Sequence, residues 1–269
     1  MKKLFAIFGD PVSHSRSPIM HNCVFKNLKY QACYTRVHLQ DGKKLRDTFL
    51  KLGLSGANIT VPHKEEAFNA CDEVRGFANN VGVVNTIVNE NGKLIGYNTD
   101  ADGFILAIEN YRRKFRDTPT ALVIGAGGTG KALAEKLTLE NINVTVLNRS
   151  SKSADFFKKL NIDYCTWDNF ELSAQYDLVV NTTSAGLKDE ELPAPRELIE
   201  NILDNTSFVA DAIYGKLTPF LKLAQKKQIT FKDGEDMLLG QGVLANELFT
   251  NFSLDKKDIK KYMAKSFVL

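Results

Sequence analysis

The chain has 269 residues, a length that favours two domains over one. It carries 35 lysines and arginines against 32 aspartates and glutamates, and five lysines and two aspartates between residues 255 and 265 account for the net charge of +3. A nucleic-acid-binding protein is expected to have a broader basic surface, so this class is disfavoured. A hydrophobic content of 43% and a charged content of 25% are typical of a globular protein and exclude disorder.

No apolar run approaches the roughly 20 residues needed to span a bilayer, and the apolar stretch 4–8 is too short for a signal peptide. The four cysteines are scattered without a CxxC pair and the histidines do not cluster, so neither a disulfide framework nor a metal site is expected. These features predict a soluble, cytoplasmic protein that binds neither nucleic acid nor membrane.

The first hundred residues alternate short apolar segments with helix-length amphipathic segments, a pattern typical of an α/β sheet. Ser17 before Pro18 predicts a helix N-cap, and Asn91-Gly92 predicts a hairpin turn. The predicted strands are Leu4–Phe8, Ala32–Leu39, Gly56–Val61, Val83–Val88 and Lys93–Tyr97. The predicted helices begin at Ser17, Asp41, Pro62 and Asp100, and the last of them runs to about residue 114.

After Asp117-Thr118-Pro119, which indicates a domain boundary, the pattern starts again. The predicted strands of this part are Ala121–Gly125, Val144–Leu147, Asp177–Val180, Phe208–Ile213 and Ile229–Phe231. The predicted helices are Gly130–Leu139, Lys152–Leu160, Pro219–Lys227, Asp236–Phe252 and Asp255–Lys265. Because no strand follows the last two helices, they are free to pack on the first domain.

Gly125, Gly127 and Gly130 follow a buried strand and open a helix with GxGxxG spacing. In a dinucleotide-binding turn, the first glycine makes the tight turn, the second lets the backbone approach the pyrophosphate, and the third lets helix and strand pack closely. The free N–H groups and the positive end of the helix then face the phosphates. A glycine-rich turn without a ligand is the alternative, and the strand that ends at Asn148 favours the dinucleotide.

The strand after the glycine turn leads into Asn148-Arg149-Ser150-Ser151-Lys152, which contains no carboxylate to bind the ribose 2′-hydroxyl of NAD. A guanidinium can bind a 2′-phosphate in bidentate fashion, and hydroxyls can donate to it. A solvated basic loop is the alternative. The position of this loop after the glycine turn favours NADP.

Four polar clusters of the first domain lie at strand ends or helix starts, where open α/β sheets bind ligands: residues 9–18, 58–66, 85–86 and 98–103. In the first cluster, the alternating hydroxyls of Ser13, Ser15 and Ser17 lie beside a helix N-terminus and could donate to a carboxylate. For Ser17 alone, a helix cap is an equally good interpretation.

In the second cluster, Asn58 and Thr60 place polar groups on one face of an apolar strand. Lys64 follows in the first helical turn, the unfavourable end of the helix dipole for a cation. The alternative is an exposed Lys64 paired with the two glutamates that follow it. The alternative for Asp100, in the fourth cluster, is a helix N-cap.

Taken together, these motifs resemble those of the shikimate dehydrogenase family, in order and over nearly the whole chain. In the first part, the matching motifs are Gly9…Pro11…His14-Ser15-Arg16-Ser17-Pro18…His21, residues 58–64, Val84-Asn85-Thr86 and Asn98-Thr99-Asp100. In the second part, they are residues 125–128, 148–150 and 181–186, Asp211…Tyr214, Asp233-Gly234, Met237-Leu238 and Gln241-Gly242.

The resemblance implies an NADP-dependent oxidoreductase that reversibly reduces 3-dehydroshikimate to shikimate in chorismate and aromatic amino acid biosynthesis. It implies an α/β substrate domain, residues 1–100 plus 236–269, and a Rossmann NADP-binding domain, residues 101–235 including the linking helix. The C-terminal helices would return to the first domain. The implied partners are small molecules, bound by a monomer or a homodimer.

The resemblance also implies roles for individual residues. Lys64 and Asp100 match the catalytic pair of the family. The residues expected to bind the substrate are Ser15, Ser17, Asn58, Thr60, Asn85, Tyr214 and Gln241. Those expected to bind the cofactor are Gly125, Ala126, Gly127, Gly128, Thr129, Asn148, Arg149, Ser150, Lys152, Thr182, Ala212 and Gly234.

Some positions depart from the family pattern: Ser153 stands where a second basic residue often follows Arg149, Lys216-Leu217 replace a proline after Tyr214-Gly215, and Asp236 replaces a common glycine. Two alternative functions remain. One is a quinate/shikimate dehydrogenase of mixed specificity. The other is a non-catalytic dinucleotide sensor on the same fold, which would need neither Lys64 nor Asp100.

Overall fold

A computed structural model describes residues 2–172 and 175–268 of the chain. The chain divides into two compact units, one formed by residues up to 103 and from 239 onwards, the other by residues 104–238. Within the described residues, no helix is both long and apolar enough to cross a membrane.

The first unit is built on a six-stranded sheet with the order β2-β1-β3-β5-β6-β4. Its strands are β1 (Lys3–Gly9), β2 (Ala32–His38), β3 (Gly56–Ile59), β4 (Glu73–Val74), β5 (Thr86–Glu90) and β6 (Lys93–Tyr97). Its helices are α1 (Ser17–Asn27), α2 (Leu45–Lys51), α3 (Lys64–Ala70), α4 (Phe77–Val81) and the start of α5 (Asp100–Arg112). Side chains of β1 alternate between two apolar clusters, Ala6 and Phe8 in one and Phe5 and Ile7 in the other, so both faces of the sheet are covered.

Strand direction decides where the polar clusters of this unit lie. β1 pairs with β3 in parallel, β3 with β5 antiparallel, and β5 with β6 antiparallel. The carboxyl ends of β1, β3 and β6 and the amino end of β5 therefore meet at one edge of the sheet. Each of the four polar clusters follows or precedes one of these ends, so all four come to the same edge.

Two local predictions for the first unit need comment. The Asn91-Gly92 hairpin is confirmed, since both residues have positive φ, 54° and 91°, and join a pair that ends at Glu90 opposite Lys93. The prediction that Ser17 is a helix N-cap is wrong. α1 already begins at Ser17, and Arg16 takes the N-cap position without a side-chain hydrogen bond.

The second unit contains a fully parallel six-stranded sheet with the order β12-β11-β10-β7-β8-β9. Its strands are β7 (Thr120–Ile124), β8 (Asn143–Asn148), β9 (Asp163–Thr166), β10 (Leu178–Asn181), β11 (Phe208–Asp211) and β12 (Thr230–Lys232). Its helices are α6 (Gly128–Leu139), α7 (Ala154–Lys159), α8 (Arg196–Asp204) and α9 (Pro219–Lys226). The strand order reverses between β7 and β10, which makes the carboxyl ends of these two strands the expected ligand crevice of this sheet.

The last two helices bring the chain back to the first unit. α10 (Glu235–Phe249) begins in the second unit and ends in the first, and α11 (Lys256–Lys265) lies in the first. Both follow β12 with no further strand among the described residues. In the first unit, Phe249 of α10 stacks on Phe5 of β1 with ring centroids 4.7 Å apart. Side chains of Met263 in α11 and Met20 in α1 both come close to Gly242. The prediction that the strand-free C-terminus packs on the first domain is confirmed.

A carboxylate at the base of the second sheet holds the start of that unit together. Asp177 is 3% exposed, accepts hydrogen bonds from the backbone N–H groups of Arg116 and Thr120, and pairs with the Arg116 guanidinium at 2.9 Å. Burial alone would raise the pKa of Asp177, but these hydrogen bonds outweigh it and lower the pKa below its usual value. The stability that the carboxylate contributes is therefore present above about pH 4, the unfolded value, and is lost as the pH falls through the folded pKa.

We expect Asp177→Asn to lower the free energy of unfolding at pH 7 by about 1–2 kcal/mol, or about 2–8 °C in Tm. The loss is limited because the half-exposed Arg116 guanidinium is hydrated again when the charge of Asp177 is removed. Thermal unfolding between pH 3 and pH 8 measures the effect, with the exposed Asp168→Asn as the control. The difference in the free energy of unfolding between the variant and the unchanged protein should be constant above about pH 5 and become smaller below about pH 4. A difference that grows on acidification would contradict this assignment.

Candidate active site

A buried ion pair lies at the polar edge of the first sheet. Lys64 Nζ is 2.6 Å from Asp100 Oδ2, and the two side chains are only 12% and 11% exposed. Lys64 is the first residue of α3 and Asp100 the first of α5, so the ends of two helices meet here. Lys64 is therefore not the exposed lysine of the alternative interpretation.

The cap of α5 is provided by a neighbouring residue and not by Asp100. Asn98 Oδ1 accepts hydrogen bonds from the backbone N–H groups of Asp100 at 3.1 Å and Ala101 at 3.4 Å. This is the role that the N-cap interpretation gave to Asp100. With the cap supplied by Asn98, the carboxylate of Asp100 is available to Lys64.

Asn85 fixes the backbone beside this pair. Its Oδ1 accepts the N–H of Thr99 at 2.8 Å, and its Nδ2 donates to Thr99 Oγ1 at 3.0 Å. Its own backbone N–H donates to Tyr97 and its carbonyl accepts from Ile59, so it joins the ends of β3, β5 and β6. Asn85 is polar within an apolar stretch because it provides partners for backbone groups at the sheet edge.

The two predicted carboxylate-binding serines lie together, Ser15 in the loop between β1 and α1 and Ser17 at the start of α1. Ser15 and Ser17 are 5% and 3% exposed, and their Oγ atoms are 3.3 Å apart. Arg36 of β2 donates to the carbonyl of Ser15 from both Nε, at 3.1 Å, and Nη2, at 2.5 Å. Ser13, the third alternating hydroxyl, is exposed.

The remaining predicted substrate residues occupy three places. Asn58 is buried in β3, and Thr60 follows the same strand and approaches Gly9 so closely that a Cβ there would lie 2.4 Å from its Cγ2. Gln241 is 8% exposed in α10, which crosses α5 where a Cβ on Gly103 would meet its backbone N at 2.5 Å. Tyr214 belongs to the second unit, on the loop after β11.

Two aromatic residues at this edge were not found from the sequence. Tyr34 Oη donates to Asn58 Oδ1 at 2.7 Å, and the His21 ring stacks on the Tyr34 ring at 4.5 Å with an interplanar angle of 2°. Burial lowers the pKa of His21 to about 3, against a raising contribution from Asn58, so the imidazole is neutral. His21 Nδ1 is 2.9 Å from Asn246 Nδ2 of α10. Burial does not alternate along β2, so no periodic pattern indicated Tyr34 or its partner.

In the second unit, the glycine turn has the geometry that a phosphate site needs. Gly125 has φ +106°, and a Cβ on Gly130 would lie 2.1 Å from the Gly125 carbonyl oxygen, so both positions require glycine. A Cβ on Gly127 would meet no atom within 4 Å, which leaves open space on that side of the turn. Gly127 is also the N-cap of α6 and has no side chain with which to cap the helix.

The loop after β8 fits a phosphate-bearing ribose. Asn148, the last residue of β8, donates from Nδ2 to the Ser150 carbonyl at 3.1 Å and to Tyr164 Oη at 3.0 Å, while Tyr164 Oη donates to the same carbonyl. Arg149 and Lys152 are exposed. The Asn148 side chain therefore shapes the loop, and the two cations are left facing solvent.

The other predicted cofactor residues lie along the carboxyl edge of the same sheet. Thr182, after β10, donates to the carbonyl of Ile124 at 2.9 Å and so joins the ends of β10 and β7 at the point of strand reversal. Ala212 follows β11, and a Cβ on Gly234 would lie 2.3 Å from its carbonyl oxygen. The turn residue Ala126 is buried.

Asp211 fixes the loop that carries Ala212 and Tyr214, a role that the sequence did not reveal. It accepts from Thr218 Oγ1 at 2.7 Å, Ile213 N at 2.9 Å and Asn181 Nδ2 at 3.1 Å. Burial raises the pKa of Asp211 to about 6, although these hydrogen bonds oppose the rise.

Two family models match the chain. The shikimate dehydrogenase substrate-binding domain matches residues 7–87, and the shikimate/quinate 5-dehydrogenase model matches residues 109–201. Shikimate dehydrogenase (NADP(+)) of Helicobacter hepaticus is 43% identical over 269 residues, which is 100% of this chain and 98% of the relative. The chain belongs to the shikimate dehydrogenase family.

Solved structures of this family share its two-domain fold. Shikimate 5-dehydrogenase of Thermus thermophilus, in complex with NADP(H) and shikimate, is 30% identical with a TM-score of 0.83, covering 98% of this chain and 99% of that one. The ligand-free 5-ketofructose reductase of a Gluconobacter strain is 27% identical with a TM-score of 0.79, covering 98% and 99%. Since the fold accommodates more than one substrate, the residues of the site decide which one this shikimate dehydrogenase family member takes.

The residues that depart from the family pattern each make a contact in the structure. Ser153 Oγ donates to the carbonyl of Ala126 at 3.4 Å, so it contacts the glycine turn in place of a cation. Lys216 Nζ donates to the carbonyl of Leu187 at 3.3 Å. Asp236 forms an ion pair with Lys232 one turn away.

Proposed function

We propose that this chain is a shikimate dehydrogenase that reversibly reduces 3-dehydroshikimate to shikimate with NADPH. The observation that carries the proposal is the Lys64–Asp100 ion pair, buried beside hydroxyl and amide groups at one sheet edge. A dinucleotide sensor has no use for such a pair, because two buried charges are costly to keep. The 43% identity to a shikimate dehydrogenase (NADP(+)) over the full chain supports the same activity.

The chemistry needs one proton donor near a carbonyl oxygen. NADPH, when bound, supplies the hydride that converts the ketone to an alcohol. The Lys64 ammonium donates a proton to the oxygen as charge develops on it, and takes the proton back in the direction of shikimate oxidation. Asp100, at 2.6 Å, orients the ammonium and offsets its charge.

The substrate is proposed to bind across the same edge. Ser15 and Ser17 donate hydroxyl hydrogen bonds to its carboxylate, while Asn58, Thr60, Asn85 and Gln241 bind or border its ring hydroxyls. Hydroxyl donors are weaker than an arginine clamp but cost less to desolvate when the site is empty. Tyr214 is the further residue proposed for the carboxylate.

The cofactor is proposed to bind along the carboxyl edge of the second sheet. The N–H groups of the turn 125–130 would hold the pyrophosphate, and Arg149 with Ser150 and Lys152 would hold the 2′-phosphate. The absence of a carboxylate between 148 and 152 supports NADP over NAD. Thr182, Ala212 and Gly234 complete the proposed lining.

A spectrophotometric assay tests the proposal. We expect oxidation of shikimate with NADP+, followed at the absorbance of NADPH, and much weaker oxidation of quinate. Comparable kcat/KM for quinate would favour the mixed-specificity alternative. Dinucleotide binding without turnover of either acid would favour the sensor.

We expect Lys64→Ala to lower kcat by about 10²–10⁴-fold with a much smaller change in KM, because a proton donor acts mainly in the transition state. Steady-state kinetics with shikimate and NADP+ measure both constants. Lys51→Ala, at an exposed position in α2, is the control. An intact kcat with a tenfold higher KM would make Lys64 a binding residue only. Asp100→Asn should give a similar loss, whereas a destabilised fold with unchanged activity would restore its N-cap interpretation.

We expect the double substitution Ser15→Ala and Ser17→Ala to weaken shikimate strongly, because each hydrogen bond to a charged group contributes about 1.5–3 kcal/mol. Titration of shikimate and NADP+ separately measures both affinities, and NADP+ affinity should be nearly unchanged. The control is Ser13→Ala, an exposed hydroxyl in the same loop. Equal losses for the two ligands would indicate a folding defect instead.

We expect Arg149→Ala to weaken NADP+ by about 1.5–3 kcal/mol and NAD+ little, so that the preference between cofactors collapses. Arg149→Lys should recover only part of the preference, because an ammonium lacks the bidentate geometry. Kinetics with both cofactors measure the ratio, and Lys158→Ala, an exposed cation in α7, is the control. Equal kcat/KM for the two cofactors in the unchanged protein would refute the assignment.

A further inference from the structure

Tyr34 contacts one of the proposed substrate-binding residues from the neighbouring strand. It is 3% exposed in β2, and its hydroxyl donates to Asn58 Oδ1 at 2.7 Å. The phenol is thus paired with an amide proposed for the ring hydroxyls.

From Asn58 the hydrogen bonds continue towards the ion pair. Asn58 Nδ2 donates to Thr86 Oγ1 at 3.0 Å, and Thr86 Oγ1 donates to Asn85 Oδ1 at 3.0 Å. Asn85 Nδ2 then donates to Thr99 Oγ1 at 3.0 Å, and Thr99 precedes Asp100. We name the series Tyr34, Asn58, Thr86, Asn85 and Thr99 the hydroxyl–amide chain.

The donor direction along the hydroxyl–amide chain is fixed at both ends. The backbone N–H of Thr99 can only donate, so the Asn85 atom that it contacts at 2.8 Å must be the oxygen. Tyr34 has a single proton, which it gives to Asn58. Burial raises the pKa of Tyr34 well above its usual value, so the phenol keeps that proton at neutral pH.

Besides the hydrogen bond of its hydroxyl, the ring of Tyr34 packs against two other rings. The neutral imidazole of His21 stacks on it at 4.5 Å, and the ring of Phe249 in α10 lies 6.2 Å from it at 50°. The phenol can therefore neither rotate away nor give its hydrogen bond to water. Its position is set by β2, α1 and α10 together.

We infer that Tyr34 is a positioning residue, which holds Asn58, an amide proposed for the ring hydroxyls, in place through the hydroxyl–amide chain. The inference rests on the proposed function. Without the phenol, Asn58 loses a partner in a buried place, where unpaired polar groups are unfavourable and side chains turn to find new ones. The substrate ring then fits less well, whereas NADP+ is unaffected.

The test compares two substitutions that change the chain without removing a proposed substrate contact. Tyr34→Phe and Thr86→Val each keep the size of the side chain and remove one hydroxyl. Each is expected to lower kcat/KM for shikimate about tenfold, mostly through a higher KM, while KM for NADP+ stays within about twofold. The matched controls are Tyr176→Phe and Thr145→Val, which make the same changes in the second unit and for which KM for shikimate should not change.

The double variant distinguishes a chain from two separate contacts. If Tyr34 and Thr86 act through the same series, Tyr34→Phe with Thr86→Val should lose clearly less than the roughly hundredfold product of two independent tenfold effects. Thermal unfolding of every variant is measured alongside the kinetics. Should one single variant fail to fold, the KM of the other decides the inference.

Three results would overturn the inference. One is an unchanged KM for shikimate in Tyr34→Phe and Thr86→Val, with any loss confined to kcat or Tm, which would make the chain purely structural. Another is a double variant whose loss equals the product of the single losses. The last is an unchanged protein without shikimate activity, which would overturn the proposed function and this inference with it, whereas the first two leave the proposed function intact.

Discussion

The Lys64–Asp100 ion pair requires compensating contacts from the residues around it. Two charges that are only 12% and 11% exposed lose most of their hydration, and the desolvation cost of several kcal/mol per ion is recovered only with close geometry and additional hydrogen bonds. Asp100 is helped by its place at the first turn of α5, where the helix dipole favours a negative charge. Lys64 lies at the same end of α3, where the dipole opposes it. The Asp100 carboxylate therefore offsets a helix end that is unfavourable for the Lys64 ammonium and holds this ammonium at the sheet edge.

The mixed direction of the first sheet is what lets a small unit collect so many polar groups around that pair. In a fully parallel sheet, β5 would present its carboxyl end beside β3, and Asn85 would lie at the opposite edge. Because β5 runs antiparallel to β3, Asn85 lies beside the end of β3 and accepts the Thr99 N–H next to Asp100. The hairpin at Asn91-Gly92, which reverses the chain between β5 and β6, is therefore a condition for the site as well as for the sheet.

Features that depend on nearby residues could be predicted from the sequence. The glycine turn, the hairpin and the polar strand ends follow from φ requirements and periodicity, which act over a few residues. Short or edge elements were missed: β4 is two residues long, α4 has five, and β9 is an edge strand of partly exposed residues. The helix α8 was missed although its apolar face is regular, because its start has no capping side chain. The predicted N-cap at Ser17 was wrong by one residue. Hydrogen bonding decides the exact boundary of a helix, and residue propensity does not.

The parts of the site that escaped prediction are those that depend on register between distant strands. Arg36 and Tyr34 belong to β2, and nothing near them in sequence indicates that one donates to the Ser15 carbonyl and the other to Asn58. The parallel register of β1 and β2, in which Ile7 lies opposite Arg36, brings them to the loop that follows β1.

Arg36 also shows how neutral hydroxyls can be adequate for an anion. Two nitrogens of its guanidinium are engaged with a backbone carbonyl, while its positive charge stays beside the two serines. The proposed carboxylate site therefore combines specific hydroxyl contacts with a nearby charge whose own hydrogen bonds hold the loop in shape.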